Sequence, residues 1–335
     1  MDIPRLIDIE LSGKRVLVRA DLDLPAARLP DWQGRQALSA EDDYRLQSLV
    51  PTLDYIKEKG GKIILLGHRG RPEGKVVEEL SLKPFEKVLE KWNVEVLENL
   101  RFNPGEEAND GGFAKELAAK ADIYINEAFG ASHRKHASIV ALPLQFKSKS
   151  KNSVAAGLRF VREVENLSKV FENPKRPVVI IISGIKDDKL KYIEDFLKIA
   201  DKILIGGRLP DYIHDASALR YNSKVLVASL IADKEDITIH FAEISEKEIA
   251  GAGTIIVSGP LGKFEEGGHR QGTERVLKAV ANSSAFRVAG GGDTVSAISL
   301  LALGGKFDWI SVGGGAMLEF LAKGTLPGIQ ALVQV

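Results

Sequence analysis

Residues 178–207 read VVIIISGIKDDKLKYIEDFLKIADKILIGG, and this stretch decides the fold class. The β-branched run from Val178 to Ser183 predicts a strand, the segment from Lys189 to Ile199 predicts a helix, and the run from Lys202 to Ile205 predicts a second strand. Because a helix separates the two strands, they are expected to lie parallel in one sheet.

The same alternation continues on both sides of this stretch. Further strands are predicted at Arg15 to Arg19, Lys62 to Gly67, Ile123 to Asn126, Thr254 to Ser258, Phe286 to Ala289 and Trp309 to Val312. Further helices are predicted at Asp43 to Lys59, Asp110 to Lys120, Val161 to Glu172, Thr273 to Asn282, Thr294 to Leu303 and Ala316 to Ala322. Ligands of such a sheet are expected in the loops that follow its strands.

Length and one polar junction predict two domains. A chain of 335 residues is longer than a single hydrophobic core usually fills. The polar run Lys147–Asn152, the helix from Val161 and the break at Asn173–Pro177 mark the junction. The fold class is therefore α/β, with two Rossmann-like, three-layer α/β/α domains, each with a mainly parallel sheet, joined by a hinge helix. The expected boundaries are residues 1–158 and 159–325.

Composition excludes several kinds of chemistry. The chain has no cysteine, so disulfides, thiolate nucleophiles and Cys-ligated metal centres are excluded. Its 46 basic residues balance 46 acidic ones, which argues against nucleic acid or an acidic membrane as a partner. No stretch of signal-peptide character or of about 18 apolar residues occurs, so a cytoplasmic protein outside the membrane is expected.

Arginine and histidine side chains follow the predicted strands of the first domain. They lie in four segments, Arg19–Asp23, His68–Pro72, Arg101 and Ala131–His136. Since the carboxyl ends of parallel strands meet at one edge of a sheet, these cations are expected to converge. Arginine binds phosphate and carboxylate with two parallel hydrogen bonds, so the set predicts a site for a small polyanion. Separate surface ion pairs remain the alternative for each arginine.

Glycine-rich turns in the second domain predict phosphate binding through the backbone. Gly290 to Thr294 reads GGGDT between a strand and a helix, whose first N–H groups can bind phosphate while Asp293 holds Mg²⁺. Gly313 to Gly315 repeats this arrangement. In the alternative interpretation the glycines only permit tight turns, Asp293 caps the helix, and Lys186 and Lys189 belong to a solvated run of charges.

Motifs along nearly the whole chain resemble those of the phosphoglycerate kinase family. In the first half these are RVLVRADLDLP, an arginine (Arg45) six residues before Pro51, GHRGRPEG, LENLRFNPGEE and INEAFGASHRKHAS. In the second half they are SGIKDDK, IIVSGPLGKFE, GGGDT and GGGAMLEFLAKGTLPGI.

The resemblance implies two half-sites. The first would bind 3-phosphoglycerate or 1,3-bisphosphoglycerate through Asp21, Leu22, Asp23, Arg45, His68, Arg69, Gly70, Arg71, Arg101, Arg134 and His136. The second would bind ATP or ADP through Lys186, Lys189, Gly206, Gly207, Glu265, Gly291, Gly292, Asp293, Thr294, Gly313, Gly314 and Gly315. Asp293 would hold Mg²⁺, and Arg45 and Lys186 would be the catalytic residues. A scaffold role for His133 and His136 stays open.

The implied reaction is reversible, Mg²⁺-dependent transfer of a phosphoryl group from ATP to the carboxylate of 3-phosphoglycerate, giving 1,3-bisphosphoglycerate in glycolysis or gluconeogenesis. A carboxylate is already ionised, so the nucleophile needs no general base, and catalysis rests on positioning and positive charge. The resemblance also implies a monomer whose domains close on the substrates. Residues 326–335 are expected to pack back on the first domain.

The chain departs from the family pattern at specific positions. Asp23 stands where asparagine is usual and adds a negative charge beside an anionic substrate, unless Arg19 or another cation pairs with it. Arg208 stands where a third glycine is usual, and the stretch from Gly207 to Gly259 is several tens of residues shorter than in typical members.

These departures leave three hypotheses. The first is an active kinase with a shortened nucleotide domain, whose nucleotide preference is open. The second is a catalytically weakened homologue that binds a phosphorylated three-carbon acid in a regulatory or scaffolding role. The third, a dinucleotide-binding oxidoreductase, is disfavoured because no G-x-G-x-x-G follows the first strand.

Overall fold

The computed structural model describes residues 2–24 and 40–333, which fall into two compact units. The first unit comprises Met1–Glu165 together with Thr325–Val335, and the second comprises Asn166–Gly324. Among the described residues, no helix combines the length and the apolar character that a membrane crossing requires.

Each unit is built around one parallel sheet. In the first unit the strands are β1 Arg15–Arg19, β2 Lys62–Leu66, β3 Glu95–Val96, β4 Ile123–Asn126 and β5 Val154–Ala156, in the order β3-β2-β1-β4-β5. In the second they are β6 Val178–Gly184, β7 Lys202–Gly207, β8 Val225–Val227, β9 Thr254–Ser258, β10 Phe286–Gly290 and β11 Trp309–Ser311, in the order β11-β10-β9-β6-β7-β8. Every strand pair in both sheets is parallel.

Helices connect the strands. They are α1 Ala40–Glu58, α2 Pro84–Val88, α3 Pro104–Glu107, α4 Gly111–Ala118, α5 Ala141–Lys147, α6 Leu158–Ser168, α7 Ile193–Ile199, α8 Ala218–Tyr221, α9 Ile239–Ala250, α10 Gln271–Asn282, α11 Gly292–Leu300, α12 Gly314–Lys323 and α13 Pro327–Val333. Helix α6 runs from the first unit into the second. Helix α13 belongs to the first unit, where the amide of Gly328 donates to the carbonyl of Ser132.

Strand register places the functional loops at one edge of each sheet. Arg19 at the end of β1 is level with Leu66 of β2 and with Asn126 of β4. In the second unit Ser183 is level with Gly206, and Ile182 with Ser258. Within each sheet, the loops that follow these strands therefore begin next to one another, at one edge of that sheet.

The predicted α/β class with two parallel sheets is confirmed. The predicted helix from Lys189 to Ile199 is wrong in its first part. Residues Asp187–Tyr192 form a 3-10 helix, and α7 begins only at Ile193. The tighter turn carries Lys189 towards the strand ends, where its ammonium group donates to two main-chain carbonyls. The domain boundary at residue 158 stays a prediction; the compact units divide after Glu165.

Candidate functional site

A chain of buried polar side chains lies under the cationic loops of the first unit. Ser138 Oγ donates to Glu106 Oε1 at 2.6 Å and accepts from Arg19 Nε at 2.9 Å. The guanidinium of Arg19 reaches His68 Nδ1 at 2.8 Å. Glu106, Ser138 and Arg19 are fully buried, and His68 is almost so. Hydrogen bonds thus fix the imidazole ring from below.

His68 and the loop after β2 hold Asp23 in place. Asp23 Oδ1 accepts the main-chain N–H of Gly70 at 2.8 Å, and Asp23 Oδ2 lies 3.6 Å from His68 Nε2. The main-chain carbonyl of Asp23 accepts from Arg45 at 2.8 Å. The loop after β1 is therefore tied both to α1 and to the loop after β2. The Asp21 carboxylate closes a turn within it, 3.5 Å from the amide of Asp23.

Two arginines complete this edge. Arg101 is buried, donates to the carbonyl of Gly70 at 2.6 Å and pairs with Glu107 at 3.1 Å. Arg134 is half-buried and has no side-chain hydrogen bond or ion pair to any residue in the ranges 2–24 and 40–333. Its guanidinium fork is thus available for a ligand. We call Arg45, His68, Arg101 and Arg134 the anion edge.

Both histidines of the site are neutral at physiological pH. Burial, then the charges of Arg19, Arg101 and Arg134, lowers the pKa of His68 well below its usual 6.5. Burial, followed by Arg101 and Arg134, lowers the pKa of His136 to about 4. His136 Nδ1 also lies 3.8 Å from Glu106 Oε1. The arginines therefore supply the positive charge of the site.

Two residues predicted for this site have side chains engaged elsewhere, and a third is exposed. The guanidinium of Arg69 is buried and donates to the carbonyls of Leu24 and Ser81, so it joins loops of the scaffold. The side chain of Leu22 lies in the hydrophobic core, which leaves only its backbone for a ligand. Arg71 is exposed and makes no hydrogen bond or ion pair within the described ranges.

Arg19, the cation named as a possible partner of Asp23, makes no direct pair with that carboxylate. All side-chain hydrogen bonds of Arg19 go to Ser138, His68 and the carbonyl of Ala20. Arg19 acts on Asp23 only through the imidazole of His68. The Asp23 carboxylate therefore has no arginine partner at hydrogen-bond distance in the part of the chain that the structure describes.

Glycines let the turns of the second unit pack against one another. Gly259 has φ +104°, and a Cβ atom there would lie 2.0 Å from the carbonyl oxygen of Ser183. A Cβ on Gly314 would lie 2.6 Å from the Cα of Gly291. Only glycine fits at these positions. The first turns of α11 and α12 consequently lie side by side, and their N–H groups form a site suited to phosphate.

Two residues predicted to bind nucleotide also hold these turns together. Thr294 Oγ1 accepts the N–H of Gly259 at 2.7 Å and donates to the carbonyl of Gly290 at 3.0 Å, and its side chain is buried. Lys189 Nζ donates to the carbonyls of Ser183 at 2.6 Å and Ser258 at 3.1 Å. Burial lowers the pKa of Lys189, while Asp188 and Asp293 act in the opposite direction. One N–H of its ammonium group is left over for a ligand.

A cleft of about 250 Å³ lies beside these turns. Its lining includes predicted nucleotide residues, namely Gly207, Glu265 and Asp293, and also residues that were not predicted, namely Ile185, Arg208, Lys234, Glu235 and Lys263. Lys186 is exposed next to Ile185 and makes no hydrogen bond or ion pair to the described residues. Lys186 and Lys189 thus have different surroundings, although they are three residues apart.

Asp293 is suited to a metal ion bound together with phosphates. It is exposed in the first turn of α11, where Gly291 occupies the N-cap position, so the alternative of Asp293 as N-cap is wrong. Its carboxylate makes no hydrogen bond or ion pair to described residues. Within the described ranges no group of three or more potential metal ligands occurs. A single carboxylate beside phosphate-binding turns fits Mg²⁺, which is usually held by one or two carboxylates and substrate phosphates.

Sequence reasoning missed Glu106 and Ser138, which position the anion edge. Both lie inside motif segments quoted above, LENLRFNPGEE and INEAFGASHRKHAS. They were passed over because neither is cationic. The available signal was an acidic residue five positions after Arg101 and a hydroxyl four positions after Arg134, since such side chains can satisfy a buried arginine.

Comparison with known proteins identifies relatives over the whole length. The family model described as phosphoglycerate kinase matches residues 6–96, 86–238 and 227–324. The phosphoglycerate kinase of Moorella thermoacetica is 34% identical, over 98% of this chain and 98% of that protein, and that of Solibacter usitatus is 35% identical, over 97% and 98%. The Moorella alignment runs over 402 residues although this chain has 335, so the relative has segments that this chain lacks.

Solved structures give the same family. The phosphoglycerate kinase from Coxiella burnetii matches with a TM-score of 0.80 and 28% identity over 99% of both chains. The phosphoglycerate kinase from Pyrococcus horikoshii matches with a TM-score of 0.81 and 25% identity over 98% of both chains.

Proposed function

The chain belongs to the phosphoglycerate kinase family, and on this premise we propose that it transfers the γ-phosphoryl group of ATP reversibly to the carboxylate of 3-phosphoglycerate. It is a phosphotransferase with a carboxyl group as acceptor and a kinase of glycolysis. Dependence on Mg²⁺, residence in the cytoplasm and a monomeric state are parts of the proposal.

The anion edge supports binding of 3-phosphoglycerate in the first unit. Arg45, Arg101 and Arg134 carry positive charge, while neutral His68, whose Nδ1 accepts from Arg19, can donate a hydrogen bond from Nε2 without adding charge. Arginine forks suit both the phosphate and the carboxylate of such a substrate. The single observation that carries the proposal is Arg134, a half-buried guanidinium beside buried cations that has no protein partner in the described ranges.

The second unit supports binding of the nucleotide phosphates. The first turns of α11 and α12 present N–H groups, and Lys189 has a donor to spare. Asp293 would hold Mg²⁺, which when bound neutralises charge on the phosphates. Lys186 is exposed and free to approach the transferred group, and we assign it and Arg45 the catalytic role.

The proposed phosphoryl transfer requires the protein mainly to position the two substrates. A carboxylate oxygen of 3-phosphoglycerate attacks the γ-phosphorus, the bond from that phosphorus to the β-phosphate oxygen breaks, and the electron pair leaves with ADP. No proton moves, so the lowered pKa values of His68 and His136 do not impede the step. Positive charge around the phosphoryl group lowers the barrier.

A coupled assay with 3-phosphoglycerate, ATP and Mg²⁺ tests the proposal. We expect Arg134→Ala to raise the KM for 3-phosphoglycerate roughly ten-fold or more, because a charge-assisted hydrogen bond contributes about 1.5–3 kcal/mol. Lys135→Ala, the exposed neighbouring cation, is the matched control and should leave KM unchanged. Lys186→Ala should lower kcat, with exposed Lys306→Ala as its control.

The weakened homologue remains the second candidate, and Asp23 is the observation in its favour. A carboxylate without an arginine partner beside an anionic substrate disfavours binding. Turnover equal to that of a blank, together with heat stabilisation by 3-phosphoglycerate alone, would establish a binder and exclude the kinase.

A further inference from the structure

Two oppositely charged side chains line the nucleotide cleft without a part in the proposed reaction. Arg208 and Glu235 both belong to its lining, and Arg208 Nη1 lies 3.5 Å from Glu235 Oε1. Arg208 follows the turn at Gly207, and its amide donates to the carbonyl of Gly184 at 2.9 Å. The backbone of Arg208 is thus bound to that of Gly184, another residue of the cleft lining.

The Asp211 carboxylate holds the guanidinium of Arg208 at its Nε atom. Arg208 Nε donates to Asp211 Oδ2 at 2.9 Å, and Lys234 Nζ donates to the other oxygen of the same carboxylate at 2.8 Å. The Nη2 donors of Arg208 have no protein partner among residues 2–24 and 40–333. Arg208 lines the cleft and 39% of its side chain is exposed, and from this we infer that these donors can be reached from the cleft.

Glu235 presents an acceptor beside these donors. Its main-chain carbonyl accepts from the amide of Lys263 at 2.8 Å, which holds it against the segment that carries Glu265. Its Oε2 has no hydrogen-bond partner in the described part of the chain. The cleft thus offers a guanidinium and a carboxylate next to each other, and the side chain of Ile185, which is 75% exposed, adds apolar surface for the face of a flat ring.

This pair of groups discriminates between purine bases. Arginine donates two parallel hydrogen bonds to O6 and N7 of guanine, whereas at adenine N6 it meets another donor. A carboxylate accepts from the adjacent N1–H and N2–H₂ groups of guanine. Adenine offers it one amino group next to N1, whose lone pair repels the second carboxylate oxygen.

We propose that Arg208 and Glu235 recognise the base of the phosphoryl donor and select guanine over adenine. The inference rests on the proposed function, since it takes the cleft as the nucleotide site. Arg208 and Glu235 are specificity-determining residues and make no contact with the transferred phosphoryl group.

Initial rates with 3-phosphoglycerate and the Mg²⁺ complexes of GTP, ITP and ATP test the selection. We expect kcat/KM for GTP to exceed that for ATP at least about five-fold, the lower end of the range for one good bidentate pair. ITP keeps O6, N7 and N1–H but lacks the 2-amino group, so its value should fall between the two. Arg208→Gln should lower the GTP-to-ATP ratio several-fold, because only the Glu235 carboxylate then still distinguishes the bases, and Glu235→Gln should remove the difference between GTP and ITP. Exposed Lys306→Ala is the control and should leave every ratio unchanged.

Heat stabilisation by GDP and by ADP, each with and without Mg²⁺, gives a readout that needs no turnover. We expect GDP to stabilise the protein more than ADP does, and Arg208→Gln to reduce this difference. That result supports the selection of guanine even if no nucleotide is turned over. In that case only the proposed function fails. If turnover with ATP is at least as fast as turnover with GTP, the inference is wrong, and the proposed kinase function is retained. Equal stabilisation by GDP and ADP, or an equal effect of Arg208→Gln on both, also overturns it.

Discussion

The carboxylate of Asp23 is oriented by a main-chain amide and by a neutral imidazole rather than by a cation. At residue scale this places a carboxylate beside the anion edge, where it would oppose the proposed binding of an anionic substrate. The position was predicted from the motif, but its contacts were not. A sequence gives no information on whether a carboxylate turns to an amide at Gly70 or to a guanidinium at Arg19.

Asp23→Asn is expected to lower the KM for 3-phosphoglycerate about five-fold, because the loss of one charge about 4 Å from an anion is worth about 1 kcal/mol in water. The amide oxygen of asparagine can still accept from Gly70. Asp8→Asn removes a charge at an exposed position of the same unit and serves as control. An unchanged KM would mean that the Asp23 carboxylate points away from the bound substrate.

His136 predicts a dependence of stability on pH. Its pKa is about 4 in the folded protein against 6.5 when unfolded, so between these values the unfolded chain binds more protons. The corresponding stability is fully present above pH 6.5 and is lost as the pH falls towards 4. At pH 5 the loss amounts to about 2 kcal/mol.

Urea denaturation of the native chain and of His136→Gln at pH 7 and pH 5 measures this contribution. The native chain should lose more free energy of unfolding between the two pH values than the variant does. Equal losses would contradict the lowered pKa. Comparing the two proteins also removes the effect of Glu127, whose pKa burial raises to about 7 and whose contribution therefore has the opposite sign.

At the scale of elements, eight of the eleven described strands were predicted, including three-residue β11, whereas β3, β5 and β8 were not. β1, β4 and β9 have the predicted bounds, because burial on both faces demands a continuous apolar run. β3 has two residues and β5 and β8 have three each, too few for a periodic pattern. Their existence depends on pairing with a neighbouring strand, which is a property of the assembled sheet.

The first turn of α6 depends on two side chains from other elements. Glu127 accepts the amides of Arg159 and Phe160 at 2.9 and 3.0 Å and the hydroxyl of Thr52 at 2.6 Å. The same hydroxyl accepts the amide of Leu158 at 2.9 Å. These bonds satisfy N–H groups that a helix leaves open at its start.

Thr52→Val keeps the shape of the side chain and removes both hydrogen bonds of the buried hydroxyl. We expect the free energy of unfolding to fall by about 1–3 kcal/mol, since Glu127 and the amide of Leu158 each lose a partner in a buried place. Thr325→Val, at a partly exposed position of the same unit, is the matched control. A loss no larger than that of the control would show that water replaces the hydroxyl.

For the whole molecule, the separation of the two half-sites between two compact units has a measurable effect. The anion edge lies within the first unit, and the phosphate-binding turns lie within the second. Sequence motifs predicted which half of the chain would bind each substrate, and that assignment stays a prediction. They did not reveal the charged lining of the nucleotide cleft, because Arg208 and Glu235 are 27 residues apart and meet only through the fold.

Lys186→Ala should therefore abolish most turnover while leaving heat stabilisation by 3-phosphoglycerate intact. Arg134→Ala, in contrast, should lose the heat stabilisation by 3-phosphoglycerate, because this variant lacks a side chain that binds the substrate. Thermal unfolding of both variants with and without the substrate is the measurement. Loss of stabilisation in Lys186→Ala would mean that the second unit is needed to bind this substrate.

Three arginines around the first sheet each donate to a main-chain oxygen. Arg19, Arg45 and Arg69 donate to the carbonyls of Ala20, Asp23 and Leu24, respectively, and a carbonyl neutralises no charge. A chain with equal numbers of acids and bases can thus keep a local positive field at this one edge. The consequence is kinetic: a multiply charged anion is drawn to the edge as it diffuses, and its rate of association falls as ionic strength rises.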